Sequence, residues 1–268
     1  MNRLLKFIKV GKLNKISNTL SILKSSKNYT TKNKEDIKNK VLKHNIKTIT
    51  MGFPDNYGKF IGKKYDPDYF LDKVLKNGSN CCNYILASDM DCDPIPDSRI
   101  ASFHHGFGDF TMNPDINSFR EINYINDNRQ LILFSDLTQN KEKLEHAPRT
   151  LLRDSAKSLS DQGLEVEAQC SINFMLFNDK FKKNQENLHN AEPITQHPNN
   201  MNFLNLQVHD ELINKFRKSL KFSGINVESI CGEDAPGQFR VNLDVTKDLV
   251  EFCDNIVLLK LVRKISFN

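Results

Sequence analysis

Leu131-Ile132-Leu133-Phe134 is an unbroken run of large apolar residues with no polar alternation. Such a run suits a strand buried on both faces, so the chain must build a sheet with other elements layered over it. Ile46 to Met51 alternates as a half-buried strand, Asp55-Asn56-Tyr57-Gly58 is a turn signal, and Lys59 to Lys63 reads as the returning strand of a hairpin. Asp66-Pro67-Asp68 opens a helix with Tyr69, Phe70, Val74 and Leu75 as its apolar face. Phe110-Thr111-Met112 is a short strand. Pro148 starts a helix through Leu151, Leu152, Ala156 and Leu159 that Gly163 ends. Residues 164–177 hold one or two strands, and residues 184–202 a polar loop or insertion. Leu204–Phe222 reads as one helix, Val227 to Ile230 as a strand, and residues 245–265 as a last helix. No internal repeat is visible. The fold class is α+β, with a small sheet-and-helix domain to about residue 137 followed by a larger sheet backed by helices.

The formal charge of +5 over 268 residues is unevenly placed. Residues 1–34 hold nine Lys and Arg and no acid, which leaves −4 on the remainder. The folded part therefore lacks the basic footprint of a nucleic-acid binder. Leu13, Ile16, Leu20 and Leu23 recur at helical spacing opposite Asn14, Ser17, Asn18 and Ser21. That pattern is expected of a mitochondrial transit peptide, with cleavage near Tyr29-Thr30-Thr31. Its few arginines leave open a disordered basic tail on a cytoplasmic protein. No apolar run is long enough for a transmembrane helix. Residues 32–43 read as a charged connector.

The six cysteines form no C-x-x-C pair and are expected as free thiols. His104-His105 reads as a surface loop ahead of ligand chemistry. The acidic run Asp89, Asp91, Asp93 and Asp97 fails as a calcium-binding EF-hand loop, because Pro94 and Ile100 stand where Gly and Glu are needed.

Several ordered motifs carry a family likeness. Phe53-Pro54-Asp55-Asn56-Tyr57-Gly58 through Gly62-Lys63 comes first, then Ala87-Ser88-Asp89 through Asp93-Pro94-Ile95-Pro96-Asp97-Ser98, with Cys92 where relatives carry Gly. Gly106-Phe107-Gly108-Asp109 through Pro114-Asp115 follows, then Ala147-Pro148-Arg149-Thr150-Leu151-Leu152, and finally Glu233-Asp234-Ala235-Pro236-Gly237-Gln238-Phe239-Arg240-Val241-Asn242. Together, over about residues 45–265, these resemble type I glutamine synthetases and their relatives. The resemblance implies an N-terminal β-grasp domain at 45–137 and an incomplete glutamine synthetase-type catalytic α/β barrel domain at 143–268, after the leader of residues 1–34.

The resemblance also implies a chemistry. In the family, carboxylates hold Mg²⁺ or Mn²⁺ around ATP, and the γ-phosphoryl passes to a substrate carboxylate that an amine then attacks. Two of those carboxylates belong to a strand that Cys170-Ser171-Ile172-Asn173-Phe174-Met175-Leu176-Phe177 matches in its apolar frame, with Ser171 and Asn173 in place of the acids. Of the four positions only Glu233 keeps its carboxylate, and Arg240 stands at the fourth. A cation there opposes a divalent ion, although it offers Glu233 a partner of its own. The barrel's further segments are not matched before the sequence stops at Asn268, so open sheet edges are expected.

The expectation is therefore a catalytically inactive, shortened glutamine synthetase-like protein with an interaction role, no catalytic residue and no cofactor. It would assemble with itself or with a full-length relative. The alternative is an ATP-dependent glutamate–ammonia or other carboxylate–amine ligase using Mg²⁺ or Mn²⁺; a remnant without function is a third reading.

Overall fold

The computed structural model describes residues 7–12, 34–104, 106–123, 129–178, 191–198 and 200–266. β1 (Phe7–Lys12) pairs with the strand at Leu164–Gln169. The helical stripe expected at Leu13 to Leu23 lies outside the described residues. The chain divides into two compact units: residues 11–165 with Leu249–Val257, and residues 1–10 with Val166–Asp248 and Leu258–Asn268.

The first of these opens with α1 (Lys34–Lys43), where a connector was expected. Two forces make it a helix. Ile37 and Val41, one turn apart, are buried in the core, and Glu35 and Asp36 start the helix while Lys40 and Lys43 end it, matching its dipole. Lys40 Nζ and His44 Nδ1 then meet opposite oxygens of the buried Glu121 at 2.6 and 2.7 Å.

β2 (Ile49–Pro54) and β3 (Phe60–Tyr65) form the expected hairpin. Its turn is built by Asp55, whose carboxylate accepts the N–H groups of Tyr57 and Lys59 at 2.9 and 2.8 Å. α2 follows as three helical pieces over residues 67–77, the middle one π-wound. Asp66 caps it by accepting the N–H groups of Asp68 and Tyr69. Phe70, Val74 and Leu75 are buried as expected, but Tyr69 is exposed.

β4 (Ser79–Cys82), β5 (Asp109–Pro114), β6 (Arg120–Asn123), β7 (Arg129–Gln139) and β8 (Glu142–Lys143) complete a seven-stranded sheet ordered β3-β2-β7-β5-β4, with β6 and β8 also on β7. Leu131 to Phe134 lie at its centre, parallel to Ile49 to Gly52 and almost wholly buried. Phe53 meets Phe110 edge to face at 5.4 Å in the core, which also takes Met51, Phe70, Met112 and Leu133. Each such side chain contributes about 1.5–3 kcal/mol by leaving water.

α3 (Pro148–Asp161) forms where a helix was expected. Its buried residues are Arg149 and Thr150, while Leu151 is exposed and Leu152, Ala156 and Leu159 are half-buried. The cause is ionic. Arg149 donates to Asp115 (2.8 Å), Asp136 (2.5 Å) and both oxygens of Asp254 (3.0 and 2.7 Å), and lies over the Phe134 ring. That fixes the rotation of the first turn.

In the second unit, β9 (Leu164–Gln169) runs into β10 (Ser171–Met175). α4 (Phe203–Val208) and α5 (Asp210–Phe222) replace the single helix expected here, the break falling at His209. β11 (Val227–Gly232) and β12 (Gln238–Leu243) join β10 in an antiparallel sheet ordered β10-β12-β11. Among the described residues this sheet has three strands, so the larger sheet is the one that ends at Lys143 rather than the one that follows it. α6 (Leu249–Ser266) ends the described chain, its first part counted with the first unit and its remainder with the second.

Candidate functional site

Strand alternation sorts the β10-β12-β11 sheet into two faces. Ile172, Phe174, Phe239, Val241 and Leu243 are buried, and Phe174 packs on Phe216 of α5 at 5.5 Å and on Phe239 at 6.1 Å. The other face carries the polar side chains in rows. Asn173, Arg240 and Cys231 face one another across the three strands, and Ser171, Asn242 and Ser229 form the next row.

The second row is closed by its own hydrogen bonds. Ser171 Oγ donates to Asn242 Oδ1 at 2.7 Å, and Asn242 Nδ2 donates to Ser229 Oγ at 2.7 Å.

Glu233 follows directly after β11 and is held by the turn into β12. Its N–H donates to the Gln238 carbonyl at 3.0 Å, and Gln238 N–H donates to the Ala235 carbonyl at 3.1 Å. Gly237 sits at φ +67°, donates its N–H to Thr195 Oγ1 at 2.6 Å, and leaves no room for a side chain: a Cβ there would lie 2.6 Å from the Leu176 carbonyl oxygen. The Pro236-Gly237-Gln238 signature is thus the mould of a tight turn.

That turn brings Glu233 diagonally against Arg240, and the two form an ion pair. The Glu233 side chain is 9% exposed and that of Arg240 31%. Taking Arg240 away would strand a buried carboxylate, whereas a pair at an open surface would be worth only about 0–1 kcal/mol. Cys231 lies beside the pair. Burial pushes its thiol up, the Arg240 charge opposes that, and the Glu233 charge adds to it.

These residues do not suit a divalent cation. Hard ions take several oxygen ligands, carboxylates foremost. Glu233 alone is acidic among the four positions, and its carboxylate faces a guanidinium that offers only donors. Ser171 is engaged with Asn242, and Asn173 is a neutral, exposed amide. Among the described residues no group of three or more His, Cys, Asp and Glu could hold a metal ion.

All four residues singled out in the sequence therefore lie on or beside one polar sheet face. Cys231 and Ser229 were missed. The signal for them was the tight turn at Pro236-Gly237, which fixes the register of β11 on β12. In the acidic run, Asp89 accepts the N–H groups of Asp91 and Asp93 at 2.9 and 3.0 Å, so its carboxylate shapes a turn. Cys92 has φ +73°, a conformation that favours Gly. His104 is exposed, and His105 lies outside the described residues.

Residues 145–266 match the family model of the glutamine synthetase catalytic domain. The chain is similar to a gamma-glutamylethanolamide synthetase of Streptomyces coelicolor, 28% identical over 216 residues, covering 80% of this chain and 46% of that protein. It is also similar to a glutamate–isopropylamine ligase of a Pseudomonas species, 24% identical over 219 residues, covering 81% and 47%. Among solved structures, a glutamine synthase homologue superposes with a TM-score of 0.65 at 16% identity, over 82% of this chain and 49% of that one. The ADP complex of GmaS gives 0.67 at 18% identity, over 86% and 49%. The chain spans about half the length of the relatives it matches.

Proposed function

The chain belongs to the glutamine synthetase family, and from that premise we propose that it is a member without ligase turnover, acting through its interactions. The observation that carries this is the Glu233–Arg240 ion pair. A guanidinium stands where the family's chemistry asks for a carboxylate, and it supplies the positive charge that Glu233 would otherwise seek from a metal ion. With Ser171 and Asn173 neutral, there is no anionic cradle to draw Mg²⁺–ATP.

In this reading the seven-stranded mixed sheet is the family's β-grasp domain, and β9 to α6 belong to its catalytic barrel domain. The partner is a second copy of the chain or a full-length glutamine synthetase-like protein. Support comes from the outer strands β10 and β11, each of which pairs with β12 on one side among the described strands. The basic leader of residues 1–34 is proposed to direct the protein to mitochondria. No helix among the described residues is long and apolar enough to cross a membrane.

The second reading, an ATP-dependent ligase joining glutamate to an amine, is favoured by the two relatives above. Ligases of this kind use ATP and divalent metal ions. One assay decides: phosphate release by the purified protein with ATP, Mg²⁺ or Mn²⁺, glutamate, and ammonia or a small amine. We expect none above background. Turnover that disappears in Glu233→Ala would establish the ligase and remove the inactive reading.

A further inference from the structure

A second surface, in the first unit, displays aromatic side chains to solvent. Phe103 is 84% exposed, and its ring meets Phe107 edge to face at 5.3 Å, which in turn meets Tyr84 at 6.2 Å. The residues that present it are firmly anchored. Ala101 and Ser102, just before Phe103, are buried. Asn83 donates its side-chain amide to the Ile100 carbonyl, accepts the Gly108 N–H on Oδ1, and donates its own N–H to the Gly108 carbonyl. The aromatic row is therefore held out by a braced loop, and a preorganised exposed aromatic is the usual anchor of a contact.

Charge selects the occupant. Residues 88–109 contain five aspartates and one arginine, and all five aspartates are exposed. Asp97 lies 3.6 Å from His104, the neighbour of Phe103, and Asp109 follows Phe107 by two residues. Such a field repels nucleic acid and anionic lipid and attracts lysine and arginine. The aromatic faces favour the same cations.

We propose that this loop surface docks a lysine-rich, acid-free polypeptide segment of a partner chain, with an apolar side chain of the segment seated against Phe103 and Phe107. The proposal is independent of whether the polar sheet face turns over substrate.

The test is fluorescence anisotropy of the full chain with a short labelled peptide of lysines around a leucine pair, beside the same peptide with glutamates for lysines. Binding of the lysine peptide alone is expected. It should weaken about tenfold or more in Phe103→Ser/Phe107→Ser, and by several-fold in Asp97→Asn/Asp109→Asn, and it should fall as salt rises. The aspartate pair leaves the aromatic row untouched, so it remains informative if the serine variant melts early. Equal binding of both peptides, or lysine-peptide binding unchanged in both variants, overturns the proposal. So does a dimer that Phe103→Ser dissociates and that ignores the peptide, because the surface then belongs to a second copy of this chain.

Discussion

Arg240 reaches diagonally from the middle of β12 to the carboxylate of Glu233, the residue that follows β11, and closes an ion pair on the polar face of the three-stranded sheet. Glu233 is the less exposed partner, so the two ends of the pair are not equivalent. Arg240→Ala leaves a buried carboxylate without its cation and should cost about 2–3 kcal/mol. Glu233→Gln leaves a guanidinium that can turn to water and should cost about 1 kcal/mol or less. A urea denaturation double-mutant cycle checks both. Equal losses in the two single variants would show that burial does not set the asymmetry.

Arg149 is the hub of the first unit. Burial works against its charge, but Asp254, Asp136 and Asp115 more than offset that and hold it cationic well above the ordinary range. Arg149→Met strands buried carboxylates and should lower stability by about 3–5 kcal/mol. Arg149→Lys should recover little of it, because one ammonium cannot replace a fork that contacts three carboxylates.

Asp115 sets the acid side of that network. Burial alone would raise its carboxyl, yet the Arg149 hydrogen bond and the charges of Arg149 and Arg153 bring it below the usual carboxylate value. A carboxyl depressed in the folded state stabilises fully above its unfolded value of about 3.9, and that share is lost as pH falls through the folded value. The difference in stability between the wild-type chain and Asp115→Asn should therefore be flat above about pH 5 and shrink below about pH 4. A difference unchanged at pH 3 would contradict this assignment.

Cys92 occupies a left-handed conformation at φ +73°, which glycine adopts without strain. Cys92→Gly removes a Cβ clash worth about 1 kcal/mol, partly offset by the extra freedom of glycine in the unfolded chain. A rise in Tm of a degree or two is expected by calorimetry.

Gly237 shows the opposite case. Gly237→Ala combines a strained φ of +67° with a Cβ only 2.6 Å from a carbonyl oxygen. A loss of about 2 kcal/mol or more is expected, and hydrogen exchange should rise first along β11 and β12, the strands that this turn registers.

Much was legible in the sequence because it is local. The Leu131 to Phe134 run had to be a covered strand, Asp55 and Gly58 had to turn the chain, and Glu233 through Asn242 carried the family likeness, with Ser171, Asn173 and Arg240 standing where that likeness implies carboxylates. Long-range pairing decided the rest. Leu151 fits a helical stripe of apolar residues, but three carboxylates distant in sequence pull Arg149 inward and turn Leu151 to water. Cys231 looked unremarkable until the register of β11 on β12 set it opposite Arg240. Residue type and local spacing determined which strands, turns and family this chain could have. Only the tertiary structure decided that Arg240 meets Glu233, because an ion pair depends on strand register and burial, and neither is written in the spacing of the residues.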